Sequence, residues 1–208
     1  MPPIRYLVFD LGRVLMHYEP EVIAAQFAAE EDVPLLSEVI FRSAVWDGLD
    51  HGTLTQEEAL QLACRRLPAR LHEVAAQILC NWIYHLPPIE GMAALLTELR
   101  DGGIPLFLLS NISVHFAEHA AEFPVLSLFR RCIFSGPCRM KKPNSDIFLH
   151  LLKVCDIPAE ETLFIDDTAE NIAAAERLGI RGYLFDGSAA KLRAFLAEEG
   201  LLPAADAT

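Results

Sequence analysis

The chain has few basic residues for its size. It carries 17 lysines and arginines against 29 aspartates and glutamates in 208 residues, a formal net charge of −12 at pH 7. The phosphates of a nucleic acid and the surface of an anionic membrane would repel such a protein. The composition therefore argues against nucleic acid and membrane partners, and it leaves the oligomeric state open.

The signatures of disulfide frameworks, zinc clusters and membrane spans are also missing. The five cysteines are odd in number and form no CxxC pair, so we expect free thiols. No segment reaches the roughly 18 consecutive apolar residues of a membrane-spanning helix. The start, Met-Pro-Pro-Ile-Arg, lacks the basic and apolar regions of a secretory signal. These features lead us to expect a cytoplasmic protein.

What the sequence does contain is an alternation of strand-like and helix-like segments. Runs of apolar, β-branched and aromatic residues predict strands at 5–10, 104–110, 131–135, 161–166 and 182–185. Apolar residues at i, i+3 and i+4 predict helices between them, at 89–100, 146–154 and 169–178. Because strands that alternate with helices build parallel sheets, we predict an α/β fold with a Rossmann-like parallel sheet flanked by helices.

The interval between the first two predicted strands breaks this alternation. It has no strand signal, and its patterns predict four helices, at 21–29, 36–44, 57–67 and 71–85. Thr55 and Glu58 have the spacing of a capping box at the start of the third helix. We therefore predict a helical cap at 18–87, inserted after the first strand of a core made of 1–17 and 88–208.

Two of the predicted strands run directly into acidic residues. The first ends at Asp10, and the fourth ends at Asp166 and Asp167. Ligands of open α/β sheets bind at the carboxyl ends of strands. Three carboxylates brought together there would repel one another unless a cation lay among them, and oxygen ligands of this kind suit Mg²⁺. The sequence thus predicts a magnesium site with a reactive aspartate.

Other polar residues are placed to hold a phosphoryl group. The second strand ends in Ser110 and Asn111, whose hydroxyl, amide and backbone N–H groups suit phosphoryl oxygens. Lys142 stands before Pro143, ahead of a predicted helix, where an ammonium group would neutralise negative charge. Each has an ordinary alternative: Ser-Asn is common turn composition, and a single lysine is usually solvated.

The order of these segments resembles the haloacid dehalogenase-like hydrolase superfamily. Four signatures appear in sequence order: Phe9-Asp10-Leu11-Gly12-Arg13-Val14-Leu15, Leu109-Ser110-Asn111, Met140-Lys141-Lys142-Pro143 and Phe164-Ile165-Asp166-Asp167-Thr168-Ala169-Glu170-Asn171. The resemblance covers nearly the whole chain, including the inserted cap. More narrowly, the chain is similar to the sugar-phosphatase branch typified by bacterial α-D-glucose-1-phosphate phosphatase.

The resemblance implies a two-step phosphoryl transfer from a small phosphomonoester. Asp10 would attack phosphorus to give an aspartyl-phosphate that water then hydrolyses. Mg²⁺ would be held by Asp10, the Gly12 carbonyl and Asp167, with Asp166 acting through water or by orienting Lys142. Charge on the transferring oxygens would be stabilised by Lys142 together with the two strand-end residues, Ser110 and Asn111.

One departure from the family pattern concerns the general acid. Most phosphatases of this superfamily have a second aspartate two residues after the nucleophile, and here that position is Gly12. Losing a positioned acid/base group typically costs about 10²–10⁴-fold in rate. His17 and Glu19 are the nearest titratable substitutes in sequence, and His17 suits neutral pH better. A structural role at the entry to the cap is the alternative for His17.

The cap is expected to select the substrate. Trp46, Asp47, Asp50 and His51 are predicted in one turn between cap helices and suit sugar hydroxyls, although an ordinary exposed turn has the same composition. Two other functions stay open. Gly12 would fit a catalytically weak or inactive binding or regulatory protein, and a metal-free 2-haloacid dehalogenase would share the aspartate nucleophile but lack the paired Asp166 and Asp167.

Overall fold

The centre of the protein is a five-stranded parallel sheet. A computed structural model describes residues 2–203, and its strands lie in the order β3-β2-β1-β4-β5. They are β1 (Tyr6–Phe9), β2 (Leu106–Ser110), β3 (Arg131–Phe134), β4 (Thr162–Asp166) and β5 (Arg181–Leu184). All neighbouring pairs are parallel. The predicted α/β fold is confirmed, and the predicted strands match to within two residues at each end.

The apolar strand sequences are explained by burial on both faces of the sheet. In β1, Leu7 and Phe9 pack into one hydrophobic cluster and Val8 packs into another. Successive side chains of a strand point to opposite faces, so a strand covered on both sides needs a continuous apolar run. This burial places the strand ends, where the polar residues begin, at the edge of a rigid core.

Helices cover both faces and fill the interval after β1. The α-helices are α1 (Pro20–Ala24), α2 (Val33–Leu36), α3 (Ala44–Asp50), α4 (Gln56–Cys64), α5 (His72–Asn81), α6 (Met92–Asp101), α7 (Val114–His119), α8 (Ser135–Cys138), α9 (Ser145–Cys155), α10 (Ala169–Glu176) and α11 (Ala189–Glu198). Short 3₁₀ turns lie at Glu30–Asp32, Ala69–Leu71, Trp82–His85, Ala120–Glu122, Pro124–Leu128 and Ala159–Glu161, and Ser37–Phe41 is a π-helical turn. Within residues 2–203, no helix is both long and apolar enough to span a bilayer.

Where the chain enters and leaves the helical segment between β1 and β2, its two backbone segments lie side by side. Met16 forms an antiparallel bridge to Pro88. His17 N donates to Pro87 O at 2.8 Å, and Ile89 N donates to Leu15 O at 2.9 Å. Helices α1 to α5 lie between these crossings, in the interval predicted to form the cap. The division at 18–87 remains a prediction, and below we use cap for residues 18–87 and core for the rest of the described chain.

One predicted feature of this segment is wrong in its local structure. Trp46, Asp47 and Asp50 lie on helix α3 and not in a turn, and His51 follows at its carboxyl end. The Ser43 hydroxyl accepts a hydrogen bond from Val45 N and so caps the start of α3. The predicted capping box at the start of α4 is present, with Glu58 N donating to the Thr55 hydroxyl.

Candidate active site

Two acidic residues lie side by side at the carboxyl ends of the central strands. Phe9 of β1 is in register with Ile165 of β4, so Asp10 and Asp166 follow at neighbouring positions. Asp10 N donates to Ile165 O at 2.9 Å and holds this alignment. Asp10 is 8% exposed and Asp166 is 0% exposed. Two residues widely separated in sequence thus form one buried acidic pair.

The Lys142 side chain lies between these two carboxylates. Its Nζ is 2.8 Å from Asp10 Oδ1 and 2.6 Å from Asp166 Oδ2. Burial lowers the pKa of the Lys142 ammonium group, but Asp10 and Asp166 outweigh that effect and raise the pKa above its usual value. Lys142 therefore stays charged across the physiological range.

Lys142 is held at both its backbone and its side chain. Asn111 Nδ2 donates to Lys142 O at 2.9 Å, and Lys142 N donates to Asn111 Oδ1 at 2.8 Å. Asp166 in turn accepts from Asn171 Nδ2 at 3.0 and 3.1 Å and from Thr168 N at 2.8 Å. These contacts fix both the lysine and the carboxylate that orients it, so the ammonium group is aimed before any ligand arrives.

A third carboxylate completes an acidic cluster. Asp10, Asp166 and Asp167 each place an oxygen within 4.8 Å of the others, so together they could hold a metal ion. Burial raises the pKa of Asp10 from 3.8 to about 6, with Lys142 opposing this shift and Asp166 adding to it. Burial and the charge of Asp166 raise the pKa of Asp167 as well. In the absence of a cation the cluster therefore resists full ionisation.

The charge of this cluster fits a divalent cation. Three ionised carboxylates and one lysine leave two negative charges without a partner, and carboxylate oxygens are ligands that Mg²⁺ prefers. Asp166 already accepts three donors, from Lys142, Asn171 and Thr168. Asp10 and Asp167 both line the adjoining cavity, so these two carboxylates are the better placed ligands.

Gly12 lines the same cavity, but the backbone does not require a glycine there. The left-handed residue of this turn is Arg13, at φ 58°. A Cβ at position 12 would meet nothing closer than the Tyr18 Cβ at 3.8 Å, which is ordinary van der Waals contact. The structure thus has room for a side chain at position 12.

A cavity of about 200 Å³ opens above the acidic cluster. Its floor contains Asp10, Gly12, Ser110, Asn111 and Asp167, which were predicted from the sequence. Its remaining walls are Leu11, Arg13, Met16, Tyr18, Trp46, Asp50, Trp82, Leu86, Ile112 and Thr168. The cavity is therefore polar at its base and largely apolar above.

Aromatic residues of the cap form the upper wall. The ring centroid of Trp46 is 4.8 Å from that of Trp82 and 6.1 Å from that of Tyr18. Trp46 and Trp82 are buried, and burial followed by the charge of Asp50 raises the pKa of Tyr18 well above its usual value. These rings give the cavity an apolar wall, beside one carboxyl group from the same segment, that of Asp50.

Three of the residues predicted for the site lie elsewhere. Asp47 is exposed and pairs with Lys141 of the core. His51 is half-buried at the end of α3, outside the set of cavity-lining residues. His17 is exposed and does not line the cavity either. Its backbone N–H donates to Pro87 O, at the neck where the chain enters and leaves the cap. The structure thus brings Trp46 and Asp50, but not these three, to the ligand cavity.

Sequence reasoning missed part of the site. Tyr18 and Trp82 were not predicted to line it, because nothing in their local patterns shows that two distant cap residues meet. Asn171 was given no role of its own, yet its amide donates to both oxygens of Asp166. The available signal for Asn171 was its place in the fourth signature, five residues after Asp166.

Comparisons with known proteins agree on the family. A family model described as haloacid dehalogenase-like hydrolase matches residues 4–179. The sesquiterpene phosphatase astK of Aspergillus oryzae is 27% identical over 176 residues, 84% of this chain and 86% of that protein. An (S)-2-haloacid dehalogenase of Pseudomonas putida, H-109, is 25% identical over 86% of this chain and 84% of that protein. The drimenol cyclase drtB of Aspergillus calidoustus is 27% identical over 88% of this chain, which spans only 34% of that longer protein.

Solved structures share the fold across almost the whole chain. A HAD-like family hydrolase from Porphyromonas gingivalis aligns with a TM-score of 0.74 and 28% identity, covering 95% of this chain and 98% of that one. A HAD family enzyme from Bacteroides thetaiotaomicron, solved with magnesium and inorganic phosphate, aligns with a TM-score of 0.72 and 23% identity over 91% of this chain and 98% of that one. With its family match, its sheet and its acidic cluster, the chain belongs to the haloacid dehalogenase-like hydrolases.

Proposed function

We propose that the protein is a Mg²⁺-dependent phosphatase that hydrolyses a small phosphomonoester through an aspartyl-phosphate on Asp10. The arrangement of Asp10, Lys142 and Asp166 carries this proposal. It places a carboxylate at the floor of a cavity, beside a fixed positive charge and a second carboxylate that orients it. Such preorganised charge is what phosphoryl transfer requires of a protein.

In the first step, a carboxylate oxygen of Asp10 attacks phosphorus and the bond from phosphorus to the leaving oxygen breaks. The Lys142 ammonium group neutralises charge at the nucleophile and on the transferring oxygens, and the Ser110 hydroxyl lines the same floor. Asn111 is the positioning residue for Lys142, because both polar atoms of its amide bond the Lys142 backbone. In the second step, water attacks phosphorus and frees Asp10 and inorganic phosphate.

The acidic cluster would hold the magnesium ion. Asp10 and Asp167 supply carboxylate oxygens facing the cavity, Gly12 its carbonyl oxygen, and Asp166 supports the site from behind through Lys142. When bound, Mg²⁺ supplies Lewis-acid stabilisation of negative charge on the phosphoryl oxygens. The magnesium and phosphate bound by the Bacteroides protein are compatible with this use of the fold.

The cavity limits the leaving group to a small molecule. Its volume of about 200 Å³ is below the ~300–1,000 Å³ of typical ligand sites. The faces of Trp46 and Tyr18 suit the apolar side of a sugar ring or a short apolar chain, and Asp50 offers a hydrogen-bonding group. A sugar phosphate is therefore one candidate, and the sesquiterpene phosphatase relative makes a short isoprenyl phosphate another.

Metal-free dehalogenation is the second candidate function. Gly12 provides no general acid two residues after Asp10, and a haloacid dehalogenase is among the relatives. The surplus negative charge of the Asp10, Asp166 and Asp167 cluster opposes it, because an anionic haloacid would have to approach uncompensated carboxylates. A binding or regulatory protein without turnover is the third.

Phosphate release separates these three functions. We expect Mg²⁺-dependent release of phosphate from p-nitrophenyl phosphate, and from members of a panel containing glucose 1-phosphate and dimethylallyl phosphate. Asp10→Asn should reduce release at least ~10³-fold, as loss of a nucleophile does. Asp156→Asn, at an exposed position on the core, is the matched control and should keep wild-type activity.

Other outcomes would contradict the proposal. Halide release from 2-chloropropionate without any phosphate release would establish the dehalogenase. Unchanged ligand binding by Asp10→Asn, with no turnover by wild type, would establish the binding protein.

A further inference from the structure

We propose that Asp50 of the cap is the general acid and base that replaces the missing aspartate at position 12. This inference rests on the proposed phosphatase function and adds a catalytic residue to it. Asp50 ends helix α3 and lines the cavity that contains Asp10 and Gly12. The acid would thus come from the cap and not from the turn after the nucleophile.

The titratable residues of the cavity leave Asp50 as the proton donor. Among the described residues lining it, those that titrate are Asp10, Arg13, Tyr18, Asp50 and Asp167. Asp10 is the nucleophile and Asp167 belongs to the metal cluster. Arginine does not release its proton in proteins. Burial raises the pKa of Tyr18 well above its usual value of 10, so its hydroxyl is a poor proton donor near neutral pH.

Hydrogen bonds connect the Asp50 backbone to the segment that follows β2. Ser135 Oγ donates a hydrogen bond to Asp50 O at 2.5 Å. Ser135 Oγ also accepts a hydrogen bond from Ile112 N at 2.8 Å. Ile112 directly follows Ser110 and Asn111, which line the cavity. The Ser135 side chain therefore connects Asp50 to the segment that contains these two residues. Asp50 is positioned relative to the reacting group by the core itself, as a catalytic acid requires.

The surroundings of Asp50 favour its protonated form. Burial raises the pKa of its carboxyl well above 3.8, Lys141 opposes this shift, and the charges of Asp47 and Asp10 add to it. Tyr18 also lies close enough to feel the charge of Asp50, but it is neutral below its own raised pKa. This shift is in the direction that a general acid for the first step needs.

The proton balance of the reaction closes on Asp50. As Asp10 attacks and the phosphorus–oxygen bond breaks, the Asp50 carboxyl gives its proton to the leaving oxygen and becomes a carboxylate. As water then attacks phosphorus of the aspartyl-phosphate, Asp50 takes a proton from that water. Phosphate leaves, and both Asp10 and Asp50 return to their starting states.

Leaving-group dependence in Asp50→Asn tests the assignment. Benzyl phosphate, whose alcohol needs a proton to leave, should lose about 10²–10⁴-fold in kcat/KM. Nitrophenolate leaves without a proton, so p-nitrophenyl phosphate should still phosphorylate Asp10. We expect a burst of about one nitrophenolate per site, followed by slow turnover, because water attack has lost its base.

Several results would overturn it. Equal losses on both substrates without a burst would show that Asp50 only positions the substrate, and wild-type rates on both would remove it from the mechanism. Wild type that turns over neither substrate would refute the proposed function and this assignment with it. Thermal unfolding checks that Asp50→Asn folds, and Asp156→Asn again serves as control.

A measurement on wild type alone keeps the test independent of the variant. With Asp50 as acid, kcat/KM for benzyl phosphate falls at high pH as Asp50 loses its proton, and kcat/KM for p-nitrophenyl phosphate does not share that fall. Identical pH profiles for the two substrates would contradict the assignment.

Discussion

At the scale of single residues, the site depends on a buried lysine shared by two carboxylates. Lys142 is 2% exposed and contacts Asp10 and Asp166 within 2.8 Å. A buried charge is tolerated only when it is paired and hydrogen-bonded. Asn171 donates to Asp166, and Asn111 bonds the Lys142 backbone. The two carboxylates raise the pKa of Lys142, whereas burial leaves Asp10 in an environment that disfavours its ionised form.

The raised pKa of Asp10 predicts that the free energy of unfolding of the metal-free protein depends on pH. The pKa of Asp10 is about 6 in the folded state against 3.8 for an ordinary aspartate. A raised folded pKa means that stability is lost as pH rises from about 4 to about 6. In EDTA, Asp10→Asn should therefore be more stable than wild type at about pH 7.5, by up to ~3 kcal/mol, and should lose that advantage at about pH 4.

Urea unfolding at the two pH values measures this effect, with Asp156→Asn as the control. Adding Mg²⁺ should stabilise wild type and not Asp10→Asn, because only wild type has the complete carboxylate set. A difference between variant and wild type that is the same at both pH values would contradict the raised pKa.

At the scale of elements, α3 shows where sequence patterns fail. Gly48 and the Asp-Gly-Leu-Asp-His-Gly run predict a turn, because glycine and aspartate disfavour helices. The helix forms because Ser43 caps it and Val45, Trp46 and Leu49 bury one face. A Cβ at Gly48 would come within 2.5 Å of Leu54 Cδ1. Tertiary packing, which local propensity does not record, therefore explains both the glycine and the helix.

The loop after α3 also forms a close backbone contact with the core. Gly52 has φ +67°, and a Cβ there would lie 2.0 Å from Gly136 O. Together with the hydrogen bond from Ser135 to Asp50 O, this contact seats the carboxyl end of α3 against α8. The position of Asp50 thus depends on a residue without a side chain.

Substituting Gly52 tests this contact. Gly52→Ala should destabilise the protein by more than the ~1 kcal/mol expected from a positive φ alone, because the new Cβ also clashes with a backbone oxygen. Gly103→Ala is the matched control, since Gly103 has φ +83° with nothing within 4 Å of its Cβ position. Equal losses in the free energy of unfolding would show that the contact is not tight.

At the scale of the whole molecule, the ligand cavity is built from segments far apart in the chain. The core residues of the site follow strands, and parallel strands bring their carboxyl ends to one edge of a sheet. For this reason Asp10, Ser110, Asp166 and Asp167 were predictable from the sequence. Of the wall residues, Trp46 was predicted, but the contribution of Tyr18 and Trp82 depends on how the cap folds back, which no periodicity encodes. His17 illustrates the difference: it is near Asp10 in sequence, yet it is exposed at the neck.

Contacts between the cap and the core also shape the site. The cap and core meet around a small cavity, through Asp50 and Ser135 and through the pair of Asp47 and Lys141. Exclusion of water from an active site strengthens electrostatic interactions at the reacting group, so this contact between cap and core bears on the proposed chemistry. Both proposed steps depend on one covalent bond, between Asp10 and phosphorus, which the first step forms and the second step breaks.

Direct detection of that bond is the most decisive measurement. Wild-type protein mixed with p-nitrophenyl phosphate and Mg²⁺, quenched in acid within one turnover and digested, should yield a phosphorylated peptide whose modified residue is Asp10. The adduct should be missing from Asp10→Asn and from wild type in EDTA. Rapid phosphate release with no phosphoryl group on Asp10 at any quench time, or with the group on another residue, would contradict the account.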